Sequence, residues 1–449
     1  MSSRDLSQPE TPDRSYADAL QARTERRADA ADYVTSPFAG APAELAAEVG
    51  ADVDALAPEI VALSHRIFET PEEAFQEVRS AAAVAEAVER LSGARATTGV
   101  YGLETAVEAS VGPAPESGSS SATVAILAEY DALPGIGHGC GHNLIAASAV
   151  GAFAALARLG DRLPGRVVLL GTPAEEGNSG KELMARHGAF DRLDAAVMAH
   201  GFGYDAIDHA FIGRRILRME FEGVPAHASA SPFLGRNALD AATLAYQAVG
   251  LLRQHLPPSD RVHGIVTEGG ERPSVIPRRA VLEFYVRSHA ADTLKELSRR
   301  LDDIAHGAAL ATGTGVTLYW DPKPGTLPVR FNRPLSERWA VHQAARGRKA
   351  LTSAVVPTEL AASTDFGNVS VRVPGIHPVI KVSPPEIALH TAEFASWARS
   401  EAGDRAATDA AYGLALTALD FLADAALREA ARADFDAEGG VLDVEEYFA

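Results

Sequence analysis

A single cysteine, Cys140, among 449 residues excludes any intrachain disulfide framework, so its thiol is left for packing, ligation or reactivity. No apolar run reaches the roughly 20 residues that a membrane-spanning helix requires. The first 32 residues are polar with charges of both signs and lack the apolar core of a signal peptide. These absences predict a soluble, cytoplasmic protein. Basic residues are also in deficit, 41 against 60 acidic, for a formal charge of −19. That balance repels nucleic-acid backbones and anionic membranes, and no local basic stripe offsets it.

What remains is an ordinary globular composition, 47% hydrophobic and 22% charged, in a chain long enough for two or three domains. Residues 1–42 lack apolar periodicity and read as a mobile N-terminal arm with room for one short helix. Two helices follow between residues 54 and 91, separated at Thr70-Pro71. The Gly/Pro/Ser-rich stretch 112–121 reads as a loop. Short apolar runs at 123–128, 166–170 and 195–199 alternate with apolar helical stretches such as 144–159, which predicts an α/β fold with a mostly parallel sheet.

The texture changes between residues 214 and 328. Runs 216–221 and 281–286 alternate like half-exposed strands, and helices are expected at 237–255 and 292–312. The chain thus divides into an α/β domain formed from residues 43–213 and 329–449, with an α+β domain inserted at 214–328. The second α/β segment is expected to hold a strand at 379–382 and one long helix from Asp404 to Arg432.

Chemistry-bearing residues gather just beyond predicted strands, where open α/β sheets place their ligands. Glu129 and Asp131 lead to Gly139-Cys140-Gly141-His142; Thr172-Pro173-Ala174 leads to Glu175-Glu176; His200 ends another strand, and His390 follows the run at 379–382. Taken singly, a cysteine packs, a histidine sits in a loop and a glutamate pair is solvated. Together, thiolate, imidazole and carboxylate suit a borderline divalent cation such as zinc, manganese, cobalt or nickel. A dinucleotide loop fails on spacing, because counting from Gly135 or Gly137 puts the third required glycine on Cys140 or His142. Neither a His-Glu-x-x-His helix nor a Gly-x-Ser-x-Gly elbow is present.

The runs Glu129-Tyr130-Asp131-Ala132-Leu133-Pro134, Gly139-Cys140-Gly141-His142-Asn143, Thr172-Pro173-Ala174-Glu175-Glu176-Gly177 and Ser363-Thr364-Asp365-Phe366-Gly367-Asn368, with the later His390, resemble the M20 metallopeptidases. The resemblance is to the branch of amidohydrolases with a Cys-Gly-His metal motif, and it implies a ferredoxin-like lid and a homodimer formed through it. It assigns Cys140, His142, Glu176, His200 and His390 to one or two divalent metal ions and Glu175 to the general base. Asp131 resembles the acid that orients a ligand histidine, with a turn-capping role as the alternative. His227 matches an oxyanion-stabilising imidazole, alternatively a surface histidine; Arg287 matches a clamp on a substrate carboxylate, with Ser274 and Asn237 as further substrate-binding positions.

Two positions depart from the pattern. Glu129 stands where many two-metal relatives have a histidine, so either Cys140 bridges two metals or one site fills tightly, and Ser274 stands where relatives commonly have asparagine. The implied activity is hydrolysis of the amide bond in a small N-acyl amino acid or dipeptide. The alternatives are an aminobenzoyl-glutamate hydrolase subunit that needs a partner chain, and a non-catalytic metal-binding scaffold.

Overall fold

The computed structural model describes residues 7–113 and 122–448, so most of the loop expected at 112–121 lies outside the described residues. The apolar runs become strands because β-branched and small residues pack well on a sheet covered on both faces. β1 (Ala96–Thr98), β2 (Val107–Val111), β3 (Thr123–Ala128), β4 (Arg166–Gly171) and β5 (Ala195–Val197) join the later β11 (Gly375–Ile376) in one sheet. Its order is β1-β2-β4-β3-β5-β11. Strands β4, β3, β5 and β11 are parallel, and β2 and β1 continue the sheet in antiparallel pairing. All six residues of β3 are buried, as a central parallel strand requires.

The helix His142–Ala157 returns the chain from β3 to β4, and every residue from His142 to Leu156 is buried. A helix that is apolar all round belongs in a core, and this one packs against the helices Ala43–Phe68 and Glu401–Ala423. The approach is close at Gly151, where an added Cβ would lie 2.4 Å from Ile60 Cδ1. Small residues along this helix therefore set the spacing of the layer beneath the site.

β6 (His200–Phe202), which follows β5 after a two-residue break, pairs in parallel with β12 (Val379–Lys381) as a separate ribbon. The expected strand 195–199 thus ends at Val197, and His200 opens β6. A second sheet is wholly antiparallel: β7 (Gly213–Glu222), β8 (Arg261–Glu268), β9 (Arg279–Ser288) and β10 (Gly315–Trp320), in the order β10-β7-β9-β8. With the helices Ala238–Leu252 and Ala291–Thr312 between strands, this is the βαββαβ arrangement of a ferredoxin-like unit. Its own core joins Leu217, Phe221, Leu282 and Phe284 to Ala242 and Leu301.

Within the segment expected as an arm with one short helix, Ser15–Ala30 is a helix whose Thr24 is buried, and Lys349 Nζ donates to the carbonyls of Ala28 and Ala31 at 2.8 and 2.9 Å. The expected single helix 404–432 is two, Glu401–Ala423 and Ala425–Ala437, bent by 99°. Asp424 makes the break: its backbone is extended, and its Oδ1 accepts from the backbone N–H of Ala426 and Leu427 at 2.9 and 3.2 Å. Its Oδ2 accepts from Gly40 N–H at 3.0 Å. Among the described residues no single helix is long and apolar enough to cross a membrane.

Asp424→Ala removes the cap of the second helix and is expected to lower unfolding free energy by about 1–2 kcal/mol in urea titrations. A change below about 0.3 kcal/mol would show that the bend is held by packing alone.

Candidate metal and hydrolase centre

Beyond β3 the chain carries Glu129 and Asp131 into a turn that ends at Gly141, whose φ of +82° is open to glycine and strained for other residues. That turn places Cys140 and His142 together at the start of the buried helix. His142 Nδ1 lies 3.0 Å from Asp131 Oδ1 and 2.9 Å from the Asp131 carbonyl. Both are acceptors, so Nδ1–H donates to them and the ring is held with Nε2 pointed away from Asp131. The other carboxylate oxygen of Asp131 accepts from Glu176 N–H at 2.8 Å. One acid thus orients the imidazole and fixes the turn bearing the glutamates.

That turn is strained. Ala174 and Ser179, on either side of Glu175–Asn178, have φ of +61° and +57°, and His390 has φ of +62°. Non-glycine residues held there cost about 1–3 kcal/mol each, a strain that clusters where side-chain direction matters. His390 N–H donates to Gly139 O at 2.9 Å, and its Nε2 lies 3.6 Å from Glu176 Oε1. His390 comes from the loop preceding the helix Ala392–Ala398, not from a strand end as expected.

The side chains converge in a small volume. His142 Nε2 is 3.4 Å from Glu129 Oε2, 3.9 Å from Glu176 Oε1 and 4.0 Å from Glu175 Oε2. Cys140 Sγ is 3.4 Å from His200 Nε2, while His200 Nδ1 is 2.7 Å from the Gly201 carbonyl and so carries the proton. Three overlapping groups have ligand atoms within 4.8 Å of one another: Cys140, His142 and His200; Cys140, Glu176 and His390; and His142, Glu175 and Glu176.

The donor set fits a divalent cation. His142 Nε2, Glu129 Oε2 and Glu176 Oε1 are buried without a hydrogen-bond partner. Burial opposes charge on His142, but the Asp131 carboxylate outweighs it and raises the pKa well above the ordinary value. The surroundings that favour a proton on Nε2 equally favour a cation. Burial raises Glu176 to about 7, and burial with the neighbouring Glu129 and Glu176 carboxylates raises Glu175 well above the carboxylate range. Burial likewise pushes the Cys140 thiol up. Positive charge placed among these groups would reverse each penalty.

Glu129 has a partner that the sequence pattern did not point to. The Lys181 ammonium, fully buried, pairs with Glu129 Oε1 and lies 2.6 Å from Asp365 Oδ1, while Lys181 N–H donates to Asp365 Oδ2 at 2.9 Å. Burial works against the Glu129 charge, yet Lys181 and His142 hold its pKa down to about 2. The available signal was two acids in the recognised runs, Glu129 and Asp365, and a lysine shortly after the two site glutamates.

A cavity of about 460 Å³ opens onto the cluster and is lined by Cys140, Glu175, Glu176, His200, Arg287 and His390, among others. Arg214, Tyr285 and Thr326 also line it and were not singled out from sequence. His227, Ser274 and Asn237 are not among its lining residues. The His227 ring accepts from Ala230 N–H at 3.2 Å in an exposed turn, and the Ser274 carbonyl accepts from Ala228 N–H at 3.0 Å. Asn237 caps the helix Ala238–Leu252, accepting from Leu239 N–H at 2.9 Å and donating to Asp240. The asparagine is thus engaged in holding its own helix.

A parallel-sheet domain, a ferredoxin-like unit and a cysteine-histidine-carboxylate cluster at their junction define a hydrolase of the metallopeptidase type. The model of Peptidase family M20/M25/M40 matches residues 125–412, and the chain belongs to that family, whose members hydrolyse amide or peptide bonds. It is 37% identical over 393 residues to the Xaa-Arg dipeptidase of Mus musculus, covering 85% of this chain and 90% of the relative. It is 34% identical over 283 residues to one of the subunits of the p-aminobenzoyl-glutamate hydrolase of Escherichia coli, covering 58% of this chain and 57% of the relative. A dinuclear metal-binding peptidase of the M20 family from Bacillus subtilis shares the fold with a TM-score of 0.59 at 19% identity, covering 81% of this chain and 98% of that one.

Lys181→Met leaves Glu129 and Asp365 buried without their cation, and unfolding free energy should fall by about 3–5 kcal/mol in denaturant titrations. A loss below about 1 kcal/mol would mean that the pair is not what holds these carboxylates in place.

Proposed function

We propose that this chain hydrolyses the amide bond of small N-acyl amino acids or dipeptides. Cys140, His142, Glu176, His200 and His390 would hold one or two divalent metal ions, with zinc, manganese, cobalt and nickel as the candidates. The observation that carries the reading is the convergence of five ligand-type side chains, of which Cys140, His142 and His200 are buried, and one further carboxylate, Glu175, about the partnerless Nε2 of His142. The two named relatives, a dipeptidase and a component of an aminobenzoyl-glutamate hydrolase, support an amide in a small substrate.

A bound cation would supply Lewis acidity to the scissile carbonyl and to the attacking water. The protein's part is positional. Asp131 holds His142 and the Glu176 backbone in register, so that the glutamate turn cannot drift from the imidazole. Glu175, which lines the cavity beside Glu176, takes a proton from water and returns it to the leaving nitrogen. Arg287, at the cavity wall, receives the substrate carboxylate in its planar fork. The cavity volume suits a small ligand and excludes a folded protein.

A homodimer through the antiparallel sheet belongs to the same reading. β8 is an edge strand with Ile265 and Val266 exposed, and Leu244 and Leu251 on the helix Ala238–Leu252 are exposed as well. An apolar edge of this kind is suited to pairing with a second copy. His227, outside its own chain's cavity lining, would then serve the partner's site.

Glu175→Gln should lower kcat by about 10²–10⁴-fold against N-acyl amino acids and dipeptides while leaving bound metal unchanged by emission spectrometry. Cys140→Ser should instead lower metal content. Full turnover in the first variant, or full metal in the second, would remove that residue from its role. Ile265→Glu should shift sizing chromatography from dimer to monomer; an unchanged profile would place the dimer elsewhere or dispense with it.

A further inference from the structure

Glu77 occupies the N-cap position of the helix Val78–Ser92, yet its side chain makes no cap hydrogen bond there. Glu72 does that work from earlier in the same loop. Its carboxylate accepts from Ser80 N–H at 2.8 Å, from Ser80 Oγ at 3.0 Å and from Arg79 N–H at 3.2 Å, and an acid at a helix N-terminus is favourable. Glu77 is thereby released to turn inward, where it is fully buried. Its Oε1 accepts from Ala174 N–H at 2.9 Å and its Oε2 from the Thr105 hydroxyl at 2.9 Å. The loop also reaches the turn that bears Cys140 and His142, because the Glu72 carbonyl accepts from Ala132 N–H at 2.8 Å.

A buried acid is a costly way to make two hydrogen bonds. Burial raises the Glu77 pKa above its ordinary value, and the nearby Asp131 carboxylate adds to the rise. The inner contact supplies a reason for it. Ala174 stands immediately before Glu175 with φ of +61°, whereas a relaxed right-handed residue lies near −63°. Relaxation would swing Glu175 and Glu176 together about the Ala174 N–Cα bond. The surrounding contacts oppose that rotation: Glu77 holds the Ala174 N–H, and the Ala174 carbonyl accepts from Gly180 N–H at 3.1 Å. Gly180 is packed so tightly that an added Cβ would lie 1.8 Å from Pro173 O. A hydrogen bond to a buried acceptor and the strain of one left-handed residue are of similar size, so the first can hold the second.

We propose that Glu77 is a positioning residue of this centre: by accepting from Ala174 N–H it locks the left-handed backbone that aims Glu175 and Glu176 at the cluster. The proposal rests on the metal and hydrolase reading of the site, to which it adds the group that fixes the two glutamates from behind. Glu77 is not among the residues lining the cavity, so it acts through the backbone alone. What the lock needs is the acceptor at Oε1 rather than a charge. Glutamine keeps that acceptor and can donate to the Thr105 hydroxyl oxygen, whereas leucine fills similar space and offers none. Glycine at position 174 adopts φ of +61° without strain and needs no lock.

The test measures, on the full chain, calorimetric Kd for zinc and manganese, and kcat and KM for N-acyl amino acids and dipeptides at saturating metal. Glu77→Leu should weaken metal binding by roughly ten- to a hundredfold and lower kcat by a similar factor with KM unchanged. Glu77→Gln should match the unaltered protein in both readouts. The double variant Glu77→Leu with Ala174→Gly should recover most of the lost metal affinity, which a general loss of stability at position 77 would not allow. Unchanged affinity in Glu77→Leu, an equal loss in Glu77→Gln, or no recovery in the double variant overturns the proposal. Should Glu77→Leu not fold, the double variant decides: full metal affinity supports the lock, and lost affinity or failure to fold overturns it. The expected pattern of metal affinities without turnover by the unaltered protein would support the lock while overturning the hydrolase reading, so the two can fail separately.

Discussion

The centre is built over one ammonium group. Lys181 Nζ joins Glu129, which follows β3, to Asp365, which precedes β11, and the lysine itself follows the glutamate turn beyond β4. Three distant stretches of chain therefore meet at one buried charge. Removing such ions from water costs several kcal/mol each, and only near-complete pairing offsets that. Glu129 touches His142 through its second oxygen, and His142 in turn is held by Asp131, which also binds the glutamate turn. The positions of the site carboxylates and imidazole thus follow from how this charge is satisfied.

Above this layer the molecule tolerates conditions that a purely structural region avoids. Left-handed backbone at Ala174, Ser179 and His390 frames the ligand-type residues, and orphaned polar atoms lie between them. Strain and unmet hydrogen bonds concentrate in the volume where a cation and a substrate would satisfy them. Across the cavity the ferredoxin-like sheet shows the complementary imbalance, the guanidiniums of Arg214 and Arg287, which form no ion pair among the described residues. Excess acid and ligand atoms at one wall and excess base at the other give a polarised cleft, which orients a small molecule that has an amide at one end and carboxylate at the other.

Much of this was legible in sequence for a local reason. β3, written as six apolar residues, is found over those six residues, because a fully buried parallel strand leaves a continuous apolar run. The cysteine, histidines and glutamates stood out because metal-type ligands beyond strand ends are rare as a set, and the order of motifs matched a family. Short-range signals were less legible: Asp424, an N-cap residue within an alanine-rich stretch, divides one expected helix into two. β8 and β10 also escaped notice: neither is a continuous buried run, and in β10 the half-buried Val316, Leu318 and Trp320 alternate with the exposed Thr317 and Tyr319.

The sequence by itself determined the family, the parallel-sheet class and the residue types of the centre, because each is encoded within runs of a few neighbouring residues. Only the tertiary structure decided which charges neutralise one another. Lys181 with Glu129 and Asp365, and Arg214 beside Arg287, are relationships across 52, 184 and 73 positions of chain, the last being the difference between residues 214 and 287. Burial and strand register create them, and neither quantity can be read at a single position, since the cost of a charge is set by what the rest of the chain brings next to it.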